Sequence, residues 1–523
     1  MKTTWFISLP LLFIGGLGFS QESSVRLDAA FAHNGYAMFP VNGGMPSAID
    51  WQSDGKMIWA GEMANNQVFI GRFKTDGTID SSFGTSGFYY LAMGSYSRCI
   101  KGLKVWEDNS ISCVFTYGKQ GGAGLVNVRL NANGMPDVSF GNQGISEAAF
   151  SNLVNLPKLT TVFLPDRSQV IGTSVYTTSS NGAVVRIKPD GTPDLTFGNG
   201  GMLLFDSLNT FDGVSALKQA PDGDFVAAGV RQSGQDGQWA LYKFGVQGDL
   251  KSDFGGDGLV SYSVPNHDGY KTSPMGPGME FANEGKLLLT GITSYGQFYD
   301  VAYRQLLSNG SPDLLFGENG FITNSAPFNI NGFRYPIPLD DGRILNIGQV
   351  SDSPYPLWIN AMFTNGAIDS TVHYRAEAIQ VTNYGVYAWN YRSGEQITLG
   401  GVCVSADKQY MYVLFSAHGE GSPTCGVARL VIDALPAGLQ DAEALGSYSM
   451  HPNPSNEFIF LNSGSDFNSD VFQVYSMNGK RCKIQFESIG NGHHSADVRS
   501  LSNGLYFLVN TCEGHALKFI IDR

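Results

Sequence analysis

A nine-residue segment recurs along the chain and limits what it can fold into. Clean copies occupy residues 76–84, 133–141, 190–198 and 309–317, each reading Asp or Asn, Gly, two variable residues, Asp, two variable residues, Phe, Gly. A copy at 248–255 carries Lys251 in place of the second Asp, and one at 365–372 has lost the Phe-Gly. A truncated copy, Leu27-Asp28-Ala29-Ala30-Phe31, stands near the beginning. The anchors are thus Phe31, Phe83, Phe140, Phe197, Phe254, Phe316 and Val372, in steps of 52 to 62 residues. Self-similarity at such a period marks a repeat architecture, in which one unit cannot bury its apolar faces alone.

Two further elements keep a regular place. Gly55 and Gly61, Gly223 and Gly229, Gly285 and Gly291, and Gly342 and Gly348 each bracket an apolar run such as Met57-Ile58-Trp59-Ala60. A basic residue stands eleven before the anchor at Arg72, Arg129, Arg186 and Lys243, replaced later by Gln305 and Ala361. Their expected partners are carboxylates or turn carbonyls between units. Spacing drifts between these elements, so the loops fall there.

Each unit reads as four short strands, in the first case about 47–51, 56–60, 68–73 and 88–92, separated by Asp-Gly or Asn-Gly turns. β-branched and aromatic content without helical periodicity makes the unit an antiparallel sheet. Sheets stacked radially cover one another's faces, so the expected fold is all-β, a seven-bladed β-propeller. The strand order starts with a fourth strand at 35–41 and ends after a third near 428–430, so the two ends should share the last blade and hide its edges. An open-ended solenoid is the alternative.

Composition agrees. Gly makes up 65 of 523 residues and charged residues only 15%, as turn-rich strands require. A net charge of −13 without any basic stripe excludes nucleic acid as a partner. Residues 1–20 read as a signal peptide: Lys2, an apolar stretch over 5–17, and small residues up to a cleavage point near Ser20 and Gln21. That stretch is short for a membrane span, and no later segment is long and apolar enough to be one. Six cysteines, Cys99, Cys113, Cys403, Cys425, Cys482 and Cys512, form no C-x-x-C pair. Cys482 with Cys512 is the candidate disulfide, and an unpaired buried thiol is the competing reading.

The pattern D-G-x-x-D-x-x-F-G-x-x-G, preceded by D-G-K and an apolar run, resembles the delta-60 repeat of exported bacterial proteins, over about residues 27–431. The resemblance implies a propeller-like fold and brings no catalytic residues with it. After a linker at 433–447 the pattern changes, and 448–523 reads as a small C-terminal β-sandwich. Its Pro452-Asn453-Pro454 opening, the hairpin through Tyr475, Asn478, Gly479 and Lys480, the strand after Asn503-Gly504 with Tyr506, and Lys518 near the end resemble the type A sorting domain of type IX secretion. That resemblance implies passage through the periplasm and outer membrane, with the secretion machinery as partner. It also implies removal of the domain, followed by release or surface attachment. The domains expected are 1–20, 21–432, 433–447 and 448–523.

Chemistry is scarce. The repeated Asp28, Asp80, Asp137, Asp194, Asp313 and Asp369 could ring a Ca²⁺ site, but they stand one per blade and form no D-x-D-x-D-G loop. Holding their own turns is the simpler role. Histidines His33, His267, His373 and His418 lack metal-site spacing, and no nucleophile elbow, phosphate loop or dinucleotide fingerprint occurs. No cofactor or metal is expected. Ser53-Asp54-Gly55-Lys56-Met57-Ile58-Trp59 has the letters of a sialidase Asp-box without its spacing. Asp268, Glu280, Asp300 and Glu395 are unique carboxylates that a glycosidase could use. Aromatic segments at 295–299 and 355–358 suit a glycan or a surface protein as ligand. The expected role is a secreted or cell-surface binding, adhesion or structural module without enzymatic activity; a secreted carbohydrate-active enzyme, hydrolase or lyase, is the alternative.

Overall fold

The computed structural model describes residues 25–32, 35–39, 44–63, 67–92, 98–119, 122–154, 160–176, 180–205, 211–233, 236–264, 273–274, 277–295, 298–317, 319–325, 330–339, 342–350, 357–363, 368–375, 396–405, 407–418, 424–432, 449–451, 455, 457–462, 472–476, 481–490, 493–510 and 516–521. The expected signal peptide, its cleavage point at Ser20 and Gln21, and the linker lie outside them.

Seven antiparallel blades follow one another. Blade 1 orders its strands as Met45–Trp51, Met57–Glu62, Gln67–Phe73 and Phe88–Ala92, close to the sequence expectation. Blades 2 to 6 repeat this order over residues 98–154, 161–204, 211–263, 273–325 and 330–375. Blade 7 contributes Gln396–Val404, Tyr410–His418 and Thr424–Ile432, and the N-terminal strand Tyr36–Phe39 pairs with the last of these, Tyr36 opposite Ala428 and Phe39 opposite Cys425. A second N-terminal strand, Val25–Leu27, continues along the same edge, Leu27 opposite Leu430. The two ends share a sheet, which excludes the open solenoid.

Strands buried on both sides explain the apolar content. In blade 2, Cys113 and Phe115 face blade 1 while Val114 faces blade 3; in blade 4, Phe225 and Ala227 face blade 3 while Val226 and Ala228 face blade 5. Each neighbouring pair of blades shares its own apolar cluster, including Tyr412 and Leu414 of blade 7 against Trp59 and Phe73 of blade 1. The ring is therefore a circle of sheet-to-sheet cores. At about 25 cal/mol per Å² of apolar surface, each such contact is a main source of stability for both blades it joins.

One departure from separate sheets occurs. The outer strand of blade 2, Ile145–Val154, is long enough to cross over and pair with blade 3 at Leu153 opposite Val175, so those two blades form a continuous eight-stranded sheet.

The C-terminal unit is a sandwich of two four-stranded sheets. One orders Ser449–His451, Phe458–Asn462, His493–Asp497 and Phe486–Gly490; the other orders Arg481–Cys482, Phe472–Ser476, Gly504–Asn510 and Ala516–Ile521. Ile459, Leu461, Val474, Leu508 and Phe519 fill the space between them.

Candidate functional site

The repeated motif is an inter-blade clasp. Its Asp first closes its own turn: Asp80 Oδ1 accepts from the Ser82 amide and hydroxyl (3.2 and 2.6 Å), Asp194 Oδ1 likewise from Thr196 (3.2 and 2.7 Å). The Thr196 hydroxyl, ahead of opposing burial, holds the Asp194 carboxyl below the ordinary carboxylate range, with Arg186 adding to it. The basic residue then pairs with that Asp, Arg72 Nε lying 3.0 Å from Asp80 Oδ2 and Arg186 Nε 3.6 Å from Asp194 Oδ2. It also reaches the next blade: Arg72 Nη1 donates to the Ala132 carbonyl (2.7 Å), Arg129 Nη2 to Pro189 (2.8 Å) and Arg186 Nη1 to Val246 (2.8 Å). Each acceptor lies 60 residues downstream, one blade on.

The Phe anchors receive the following blade. Arg72 and Arg129 lie over Phe83 and Phe140, 4.9 and 4.1 Å from the ring centroids. The turn glycine of the next blade packs on the same ring. Gly134 has φ +78°, and a Cβ there would come within 2.6 Å of Phe83, so backbone and space both require glycine. Gly191 meets Phe140 and Gly310 meets Phe254 in the same way. The side chains of Asp28, Asp80, Asp137, Asp194 and Asp313 are thus occupied by turns and clasps, that of Asp369 lies outside the described side chains, and among the described residues no three of His, Cys, Asp and Glu gather as a metal site would need.

Where the motif drifts, charges move with it. In blade 4, Lys243 is 2.7 Å from Asp222 and Lys251 2.9 Å from Asp249. Burial works against the Lys243 charge, and the Asp222 bond and charge outweigh it, leaving its pKa raised. In blade 5, where Gln305 replaces the basic residue, Lys286 pairs with Asp313 at 3.1 Å. In blade 7 the clasp is assembled from both ends of the chain: Arg429 Nε donates to Asp28 Oδ2 at 2.7 Å, and its guanidinium lies 4.6 Å from the centroid of Phe31. Arg429 was missed in the sequence, although Ala428-Arg429-Leu430 parallels Val128-Arg129-Leu130.

The first strands of blades 1, 2, 3, 4 and 7 line a cavity of about 370 Å³, partly open to solvent. Ser47, Lys101, Thr161, Lys218, Gln219 and Cys403 supply its polar wall. Blades 7 and 1 meet beside it so closely that a Cβ on Gly400 would lie 1.6 Å from the Pro46 carbonyl oxygen. Two carboxylates stand on the innermost strands nearby, each engaged by a lysine of an adjacent blade: Glu280 by Lys218 at 2.6 Å, and Asp50 by Lys104 at 3.4 Å. Asp50 Oδ2 also accepts from the Val105 amide at 2.8 Å. Burial, reinforced by Asp50, pushes the Cys403 thiol up to about 12. Of the other sequence candidates, Asp268 and Glu395, the side chain of Asp300, the histidines and the aromatic segments at 295–299 and 355–358 lie outside the described side chains.

In the C-terminal unit, Tyr475 is opposite Phe507, which is opposite Lys518, setting two motif positions on either side of one central strand. Asn503 and Gly504 lead into that strand. Tyr506 donates its hydroxyl to the Ser502 carbonyl (2.9 Å) and stacks on Phe519 (5.6 Å). Pro452, Asn453, Pro454, Asn478, Gly479 and Lys480 lie outside the described residues, as does Cys512 of the candidate disulfide.

Residues 449–522 match the family model of the secretion system C-terminal sorting domain, and 52–83 and 170–197 match that of the DUF5122 β-propeller, a domain of unknown function. The repeats of blades 1 and 3 are thus of the DUF5122 β-propeller type, and residues 449–522 are a C-terminal sorting domain. The sorting domain directs export by type IX secretion, to the cell surface or beyond it, and makes that machinery a partner. No helix among the described residues is long and apolar enough to cross a membrane. No curated protein matches the chain. Among solved structures it is similar to a Dyadobacter fermentans protein of unknown function (12% identity, 78% of this chain and 99% of that one, TM-score 0.37). It is also similar to the polysaccharide lyase Uly1 (11%, 77% and 92%, 0.41) and to Drosophila Semaphorin 2a (8%, 93% and 97%, 0.42). Likenesses of this order carry no functional argument.

Proposed function

We propose that the propeller is a non-catalytic binding or structural module, led to the periplasm by residues 1–20 and placed outside the cell by its sorting domain. The observation that supports this reading is the commitment of Asp50 and Glu280, the two carboxylates whose side chains are described on the innermost strands. Glycoside hydrolysis needs two carboxyl groups about 5 to 10 Å apart and facing the substrate, one of them a proton donor. Asp50 and Glu280 are each tied to a lysine across a blade boundary, as residues that join blades would be. The described side chains of the repeated Asp residues are tied to their own turns. Such a ring offers a rigid, pre-formed surface, which suits binding because little ordering accompanies association.

The test is a glycan and surface-protein array probed with the purified exported protein, followed by a reducing-end assay on each glycan bound. Binding without turnover is expected. Release of reducing ends or unsaturated products, abolished by Glu280→Gln, would replace this reading with a carbohydrate-active enzyme.

A further inference from the structure

We propose that Arg304, in the seam between blades 4 and 5 beside their outer strands, is a binding site for the carboxylate group of a ligand from outside the protein. The site goes beyond the binding role proposed above and shares no residue with the central cavity.

Arg304 occupies a position that the repeat otherwise gives to uncharged residues. It stands twelve before the anchor Phe316, where earlier blades carry Gly71, Val128, Val185 and Tyr242 and blade 6 carries Asn360. Val128, Val185 and Tyr242 each fill the apolar core shared with the preceding blade. Arg304 enters the corresponding core of blades 4 and 5. Leu289 and Phe321 stand opposite it on the two neighbouring strands, Ala302 and Leu306 flank it on the same face, and it is only 9% exposed.

A cation in such a place costs stability unless an acceptor answers it. Arg72, Arg129, Arg186 and Arg429 each reach a carboxylate or a carbonyl. Among the described residues no acceptor meets Arg304. Its side-chain contacts are the rings of Tyr262 and Phe321, whose centroids lie 4.4 and 5.0 Å from the guanidinium carbon. The motif carboxylate of the same blade, Asp313, is taken by Lys286 and the Leu315 amide, and the Tyr262 hydroxyl donates to the Gly310 carbonyl. Burial pushes the guanidinium pKa below its ordinary value, yet an arginine keeps its charge at every physiological pH. An anion, and not the loss of a proton, must therefore answer it.

The open part of the guanidinium sets the chemistry of that anion. Nε is enclosed without a partner, whereas Nη1 and Nη2, which have no protein partner either, are not enclosed. Those two nitrogens form the fork that takes both oxygens of one carboxylate. Among the described residues no second cation touches the two rings, so a monoanion matches the site. A dianion such as sulfate would bring surplus negative charge into a partly dry seam of a chain that already carries −13.

The experiment is thermal unfolding of the full protein in sodium chloride, sodium acetate and sodium sulfate at one ionic strength, for the parent, Arg304→Met and Arg304→Lys, with acetate as the probe. In chloride Arg304→Met should melt at or above the parent, because methionine fills the seam without an unanswered charge. As acetate replaces chloride, the parent should gain on Arg304→Met by about 1–2 °C for each tenfold of acetate above the dissociation constant, until their order reverses. Arg304→Lys, a cation without the fork, should keep less than about a third of that gain. Sulfate should raise all three alike. A methionine variant that is less stable than the parent in both salts, or that does not fold, would show that Arg304 serves packing alone and overturn the proposal. An acetate effect of equal size in all three proteins would overturn it as well, and a parent-over-variant gain larger in sulfate than in acetate would overturn the assignment to a carboxylate.

Discussion

Blades 1 and 7 build the same clasp by different routes. In blade 1 the Arg and its Asp and Phe partners lie within twelve residues and its far acceptor is in blade 2, so the clasp forms once those two units have folded. In blade 7 Arg429 meets Asp28 across 401 residues of chain, so nothing closes until all the intervening blades exist. The local clasp is also the more enclosed. Arg72 is 4% exposed and bonds to Ala132, Ser82 and Gln52 besides its pairing with Asp80, whereas Arg429 is half-buried between Phe31 and Tyr410. Closure therefore depends on strand pairing and apolar packing more than on its ion pair. Stacked repeats are stabilised chiefly by nearest-neighbour contacts, and blade 7 is where the last of those contacts is made.

The largest effect is expected from removing the borrowed strands. Deleting residues 25–39 from the mature chain strips the outer edge of blade 7 and takes Phe31, Ala37 and Phe39 out of the 7/1 core. The outcome should be loss of the single cooperative unfolding transition and self-association through the bared strand Thr424–Ile432, read by calorimetry and size-exclusion chromatography. A monomer with unchanged melting would show that the seam is dispensable. Next comes the clasp itself. Arg72→Ala leaves the buried Asp80 carboxylate with Lys56, 3.6 Å away, as its remaining cation and removes the bonds to Gln52, Ala132 and Ser82, and should cost about 3–5 kcal/mol in urea unfolding. Arg429→Ala should cost less, about 1.5–3 kcal/mol, while making the N-terminal strands the first site of limited proteolysis. Equal losses would erase the contrast between local and closing clasps.

A finer contrast separates strain from packing at the turn glycines. Gly134→Ala meets both a left-handed φ of +78° and the Phe83 ring at 2.6 Å, whereas Gly223→Ala at φ +90° meets nothing within 4 Å. The first should cost more than about 2 kcal/mol and the second about 1 kcal/mol. If the two match, Phe83 yields and the ring–glycine contact is not part of the clasp.

How much of this was legible depends on whether the information lies in side chains at constant spacing. The anchors, the turn glycines and the alternation of apolar residues are side-chain facts with a period, and they led to seven four-stranded blades and to an N-terminal strand in the last of them. The far ends of the clasp are carbonyls of Ala132, Pro189 and Val246, and a carbonyl looks the same at every position. Arg429 had a readable context, but the Asp28 and Phe31 that give it meaning stand at the other end of the chain. The exchange of Lys286 for the missing Arg at position 305 also had a readable context, because Lys286 follows Gly285 just before the second strand as Lys56 follows Gly55, and Lys56 lies 3.6 Å from Asp80. Least legible was the cavity. Lys101, Thr161 and Lys218 stand at positions with no counterpart in the repeated motif, in first strands that follow loops of variable length, and only the stacking of blades 2, 3 and 4 brings them together.

The smallest effect concerns a clasp between the first turns of blades 2 and 3. Asp108 accepts from the Ser110 hydroxyl and from Arg167 Nη2 at 2.6 Å, and these bonds lower its pKa from 3.8 to about 2. A carboxyl whose pKa is depressed on folding adds stability above its unfolded value, near 3.9, and loses it as pH falls through the folded one. The contribution should be complete at pH 5 and disappear between about pH 4 and pH 2. The side chain is more than half exposed, so solvent keeps the effect below about 1 kcal/mol, and salt should shrink it further. Melting temperatures of the parent and Asp108→Asn from pH 6 to pH 2.5 should therefore differ slightly at the upper end and converge at the lower. Curves that stay parallel throughout would mean that Arg167 is held by its contact with Trp106, whose ring centroid lies 5.3 Å away, and that this pair of turns, unlike the buried Arg72 clasp, joins its blades without help from charge.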